Sequence, residues 1–116
     1  MNVESSEDLA ALESRAAEAA EFLKSLANKH RLMILCALVE RECSVGELVD
    51  KLGISQPNTS QHLLRLKAEG LIAGRRAGSV IYYRLANVQV TPMIETLYAL
   101  FCPSASPSPS TSTPTP

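Results

Sequence analysis

The stretch SVGELVDKLGISQPNTSQHLLRLKAEGL, Ser44 to Leu71, decides the fold. Ser44 stands three residues before Glu47, the capping-box spacing in which a hydroxyl and a carboxylate satisfy free amides at a helix start. A short helix is therefore expected to run to Leu52, with Gly53 ending it. Ile54 falls where a core plug belongs. Ser55 is a second cap, and Pro57 sits in the first turn of the next helix, where its missing N–H costs nothing. That helix runs to about Glu69, and Gly70 stops it. Two helices joined by a turn this tight read as a helix-turn-helix.

On the second of these helices Thr59, Leu63 and Leu66 recur at spacings of four and three and pack inward. Gln56, Asn58, Ser60, Gln61 and Arg65 are left outward, and Ser55 at the cap joins them as a DNA-binding candidate. Gln and Asn can pair bidentately with adenine, Arg with guanine, and Ser with bases or phosphates, so this face suits the major groove of duplex DNA. A helix face kept for solubility carries Glu and Lys pairs; here no carboxylate precedes Glu69, as a phosphate surface requires. His62, beside Leu63 and Leu66, reads as a hydrogen-bonded packing residue, with a phosphate contact as the alternative. Downstream, Leu71 to Arg75 and Val80 to Leu85 look like two strands joined by Arg76-Ala77-Gly78-Ser79. This hairpin has a basic tip, and Arg75 and Arg76 are its candidate phosphate contacts, fixing register without reading sequence.

Upstream, Ser6 to Leu26 reads as one amphipathic helix with a stripe of small residues. His30 to about Glu40 is too densely apolar for an exposed face and is the expected central helix. Thr91 and Pro92 begin a last helix whose Met93, Ile94, Leu97, Leu100 and Phe101 form an apolar face ending at Cys102. The expected architecture is mainly α with a small β-hairpin: a winged helix-turn-helix of five helices and a two-stranded wing. Residues 1–102 form one DNA-binding and dimerisation domain. Residues 103–116 contain only Pro, Ser, Thr and Ala and read as a disordered tail, since they hold too little apolar surface to offset chain ordering.

At 116 residues the chain supports one modest core, because small domains bury proportionately less of their surface. Aromatic residues make up 4% and Trp is absent, so aliphatic packing and a second copy of the chain must supply the burial. The formal charge of −1 conceals two opposed blocks. Residues 1–21 carry Glu4, Glu7, Asp8, Glu13, Glu18 and Glu21 against Arg15, whereas residues 61–85 carry Arg65, Lys67, Arg75, Arg76 and Arg84 against Glu69. No apolar run is long enough to span a bilayer and no secretory pattern opens the chain, so a cytoplasmic protein without a membrane partner is expected. Three cysteines, an odd number without close pairing, argue against a secreted disulfide framework and for reduced thiols.

The segments Ser44-Val-Gly-Glu-Leu48, Leu52-Gly-Ile-Ser-Gln-Pro57, Ser60-Gln-His-Leu63 and Leu66-Lys-Ala-Glu-Gly-Leu71 resemble the ArsR/SmtB family of bacterial repressors over roughly Phe22 to Cys102. The resemblance implies a homodimer joined through its first and last helices. It also implies repression by occupancy of a palindromic operator until an inducer lowers affinity.

Metal sensing in that family uses a Cys-x-Cys pair on the helix that here reads Val45-Gly-Glu-Leu-Val-Asp50, or paired Asp and His on the last helix. Neither pattern is present, and Glu95 with one Cys does not make up a tetrahedral site, so no metal and no cofactor is expected. Cys36 and Cys102 are instead similar in position to the thiols of the BigR, SqrR and HlyU subgroup. That likeness implies a di- or polysulfide link between them in response to reactive sulfur or oxidant. Cys43 reads as core or a spare thiol. The alternatives are a metal- or metalloid-responsive repressor with a non-standard site and an unswitched winged-helix protein-interaction module. With no Cys-x-x-Cys, Gly-rich phosphate loop or paired acid–base carboxylates, an enzyme is not expected.

Overall fold

The structure, a computed structural model, describes residues 6–102. The tail expected over 103–116 lies outside the described residues. The elements in order are α1 (Ser6–Ser14), α2 (Ala16–Leu26), α3 (Lys29–Glu40), β1 (Cys43–Ser44), α4 (Val45–Leu52), α5 (Gln56–Ala68), β2 (Ile72–Ala77), β3 (Val80–Leu85) and α6 (Val90–Phe101). This is the winged helix-turn-helix expected from the sequence, with two differences in detail.

The first is a break in the N-terminal helix, which makes six helices of the expected five. Ser14 Oγ donates to the Ala11 carbonyl at 2.8 Å, and the Arg15 N–H bonds to Leu12, three residues back, at 3.0 Å. A hydroxyl that competes for helix carbonyls in this way bends the chain. Arg15 leaves helical geometry at φ −118°, ψ 9°, and its guanidinium reaches forward to Glu18.

The second difference is a third strand. Cys43 and Ser44 pair antiparallel with Tyr83 and Tyr82, so the expected two-stranded wing is the outer part of a three-stranded sheet ordered β1-β3-β2. The hairpin is also longer and tighter than its sequence shows, with pairing from Ile72↔Leu85 out to Ala77↔Val80. Gly78 and Ser79 alone make the turn, and Gly78 takes φ +68°, a value that strains any residue with a Cβ. Gly74 is needed for a different reason, since a Cβ there would stand 3.0 Å from Ile81 Cγ2 and 3.2 Å from Tyr83 Cε1.

The core runs through the middle of the domain. Ile34, Leu35 and Leu38 of α3 are buried with Leu48 of α4, Leu63 and Leu66 of α5, Leu71, Ile72, and Val90 and Ile94 of α6. Each such side chain contributes about 1.5–3 kcal/mol of transfer free energy. Ile54 is buried in the turn between α4 and α5, as a plug should be. Helix α3 packs against α2, α4, α5, α6 and β3, which makes it the axle of the domain.

Candidate nucleic-acid interface and thiol pair

The turn that aims α5 is built from its caps. Ser44 Oγ accepts the Glu47 N–H at 3.1 Å while Glu47 Oε1 accepts the Ser44 N–H at 2.9 Å, a complete capping box. Gly53 closes α4 in the left-handed region at φ 71°. Ser55 Oγ then accepts the Asn58 N–H at 3.3 Å, starting α5 with Pro57 in its first turn. Beneath the helix Thr59, Leu63 and Leu66 are buried, and the Thr59 hydroxyl is satisfied by the Ser55 carbonyl at 2.9 Å.

With 3.6 residues per turn, Pro57, Gln61, Leu64 and Ala68 stand directly opposite that buried row. Gln56 and Ser60 flank one side, Asn58 and Arg65 the other, and all are exposed. The side chains of Gln56, Asn58, Ser60 and Gln61 make no hydrogen bond among the described residues, so their donors and acceptors are free for a ligand. Ser55 is occupied as a cap. Arg65 is exposed but paired, its Nε donating to Glu69 Oε2 at 3.3 Å. Glu69 in turn accepts from Ser25 Oγ at 2.6 Å, and this hydrogen bond, with the Arg65 charge, holds its carboxyl below the usual range.

The wing places its two arginines differently. Arg76 is exposed and makes no ion pair among the described residues. Arg75 lies over the Tyr82 ring at 5.1 Å and is bound to Glu42. His62 is half-buried, edge-on to His30 with ring centroids 5.8 Å apart. Burial, then the charges of Arg31, His30 and Arg65, push the His62 pKa down.

All three thiols are free. Cys36 is half-buried on α3 against the core, and burial pushes its thiol pKa up. Cys102 caps the end of α6, partly open to solvent, and its N–H bonds to the Tyr98 carbonyl at 2.8 Å. The helices that carry these two residues pack against one another. Cys43 is fully buried in the core, its thiol 3.6 Å from the Arg41 carbonyl. Among the described residues no three His, Cys, Asp or Glu side chains gather where they could hold a metal ion, and no helix is long and apolar enough to cross a membrane.

Residues 28–73 match the family profile described as "Bacterial regulatory protein, arsR family". A biofilm growth-associated repressor from Agrobacterium fabrum is 49% identical over 94 residues, which span 81% of this chain and 80% of that one. The chain belongs to the ArsR family. This ArsR-family chain is also 42% identical over 95 residues to the transcriptional activator HlyU of Vibrio cholerae, across 82% of its own length and 88% of HlyU. The crystal structure of the transcriptional repressor BigR from Xylella fastidiosa superposes with a TM-score of 0.77 at 43% identity, covering 84% of this chain and 97% of that one. The ArsR-family chain is accordingly a transcriptional regulator and not an enzyme.

Two residues of the regulator's surface escape a reading from sequence. Leu64 looks like core by type, yet it is 69% exposed between Gln61 and Arg65. Its place in the helical period opposite Thr59, Leu63 and Leu66 is the available signal. Glu42 lies 33 residues from the arginine it binds, and no local pattern joins them.

Proposed function

We propose that the chain is a cytoplasmic, homodimeric repressor that reads a palindromic operator with α5 and is released by a covalent link between Cys36 and Cys102. Gln56, Asn58, Ser60, Gln61 and Arg65, with Leu64 among them, meet base edges, while Ser55, Arg76 and the wing amides meet phosphates. Arg75 joins those phosphate contacts once it leaves Glu42. The second copy covers the apolar side chains that one chain leaves bare on α1 and α6, among them Leu9, Leu100 and Phe101, which are 59%, 67% and 78% exposed. A two-fold dimer would set the two reading helices about one DNA turn apart, near 34 Å.

The observation that carries the switch is the position of α3. The helix bearing Cys36 packs at once on the reading helix α5, on the wing strand β3 and on α6, whose end bears Cys102. The Cys102 thiolate, partly open to solvent at the end of α6, attacks the sulfane sulfur of a low-molecular-weight persulfide and expels the carrier thiolate, becoming a persulfide itself. The Cys36 thiolate then attacks the inner sulfur, expelling hydrosulfide and leaving a disulfide. Two protein thiols are oxidised and one sulfane sulfur is reduced. With peroxide the first product is a sulfenic acid and the second step releases water. The test is release of labelled operator by persulfide from wild type, Cys36→Ser and Cys102→Ser, each bound first in reducing buffer. Wild type should release and both variants should hold; equal release from all three would sink the two-thiol switch.

A further inference from the structure

The far side of the wing holds an arrangement that the reading helix does not explain. In the sheet, Arg75 of β2 stands opposite Tyr82 of β3, and Tyr82 stands opposite Ser44 of β1. Glu42 precedes Ser44 by two residues. Neighbouring strands are about 4.8 Å apart, so Arg75 must extend across the width of the sheet to reach Glu42. It does so over the Tyr82 ring and brings Nε to 2.9 Å and Nη2 to 2.8 Å of the same oxygen, Glu42 Oε1.

The fold does not need this contact. The wing is already fixed by six β2–β3 residue pairs and by the β1 ladder, and ion pairs this exposed contribute little to stability. The pair does matter for a polyanion. Two guanidinium donors that could bind a phosphate are occupied, and the carboxylate lies on the edge of the guanidinium that a phosphate oxygen would use. The neighbouring Arg76 has no such counter-ion among the described residues.

We propose that Glu42 is an internal competitor for DNA phosphate, holding Arg75 back so that non-specific binding stays weak while operator binding, which adds base contacts, is less affected. Glu42 is then a specificity-determining residue although it touches no base. The inference rests on the proposed DNA-binding role of the wing, and its test separates the two. Non-specific affinity is nearly all electrostatic and falls with salt in proportion to the phosphates neutralised.

The experiment is fluorescence anisotropy with a random-sequence duplex over a salt series, using the full-length chain as wild type, Glu42→Gln and Glu42→Gln/Arg75→Gln. Glu42→Gln should bind up to about fivefold tighter, with a log–log salt slope steeper by about one. The double variant should return to the wild-type slope. An unchanged slope, a gain that survives in the double variant, or weaker binding by Glu42→Gln would each overturn competition by Glu42. Absence of salt-sensitive duplex binding by wild type would overturn the DNA-binding reading, and this inference with it. Glu42→Ser gives the same test if the glutamine variant folds poorly.

Discussion

Replacing Ser44 with Ala tests whether the turn that aims the reading helix is held by its capping box. The hydroxyl accepts the Glu47 N–H at 3.1 Å, and Glu47 returns the bond to the Ser44 N–H at 2.9 Å. Alanine leaves the Glu47 N–H without its partner, and loss of an N-cap of this kind costs about 1 kcal/mol. Helix α4 has only 8 residues, so neighbouring turns share little of that loss. For a domain of about this size, 1 kcal/mol lowers Tm by roughly 4–8 °C. The pH dependence gives a second readout. The Ser44 N–H, then the Arg41 charge nearby, hold the Glu47 carboxyl below its usual range. A depressed carboxyl stabilises above its unfolded value, about 4.3, and that contribution is lost as pH falls through the lower folded value. Ser44→Ala keeps that backbone N–H and loses only the hydroxyl's smaller support of the carboxylate, so the gap in Tm between wild type and variant should narrow only slightly from pH 7 to pH 3. Circular dichroism melts at one protein concentration measure both, since a dimer's Tm depends on concentration. A fall of less than about 1 °C at pH 7, well short of the expected range, or a gap that widens as pH falls, would refute the reasoning.

Gln61→Ala should leave Tm unchanged, because the side chain is exposed and makes no hydrogen bond among the described residues. It should weaken operator binding by roughly 1–3 kcal/mol without weakening binding to random duplex; equal losses on both would show that Gln61 reads no base. His62 has a depressed pKa, so its contribution is present above the unfolded value near 6.5 and is lost as pH falls through the folded value. Wild type should therefore lose Tm below about pH 6.5 more steeply than His62→Gln, and parallel curves would rule this out.

The helix-turn-helix was legible because its signals are local: Ser44 to Glu47, Gly53, Ser55 with Pro57, and the inward row Thr59, Leu63, Leu66 all lie within a few residues of what they control. The break at Arg15 depends on a hydroxyl turning back on its own helix, and Ser14 carries no mark that it will do so. Strand β1 was hidden because two residues have no period. Cys43 and Ser44 are a strand only because Tyr82 and Tyr83, distant in sequence, lie alongside. Periodicity shows that the polar face of α5 is exposed, as it is, but not that its Arg65 is paired. In the structure Arg65 is paired with Glu69, and Arg75 on β2 with Glu42. A basic stretch in sequence is thus a weaker electrostatic statement than it looks until its counter-ions are placed.

The proposed switch has a mechanical requirement that the packing of α3 meets. A link from α6 to Cys36 would apply force at a half-buried position on a helix whose opposite side, Ile34 and Leu38, is buried. Protein interiors are packed as densely as organic crystals and take up little strain, so α3 has no slack in which to absorb the pull. The displacement would pass to the elements resting on it, α5 and β3, which carry the proposed reading face and one strand of the wing. Affinity assembled from many phosphate and base contacts is sensitive to such a shift, because a rigid movement misplaces all of them together. Cys43 is fully buried within the core; a reagent could reach it only by opening the fold, and oxidation there would destroy the domain instead of tilting it.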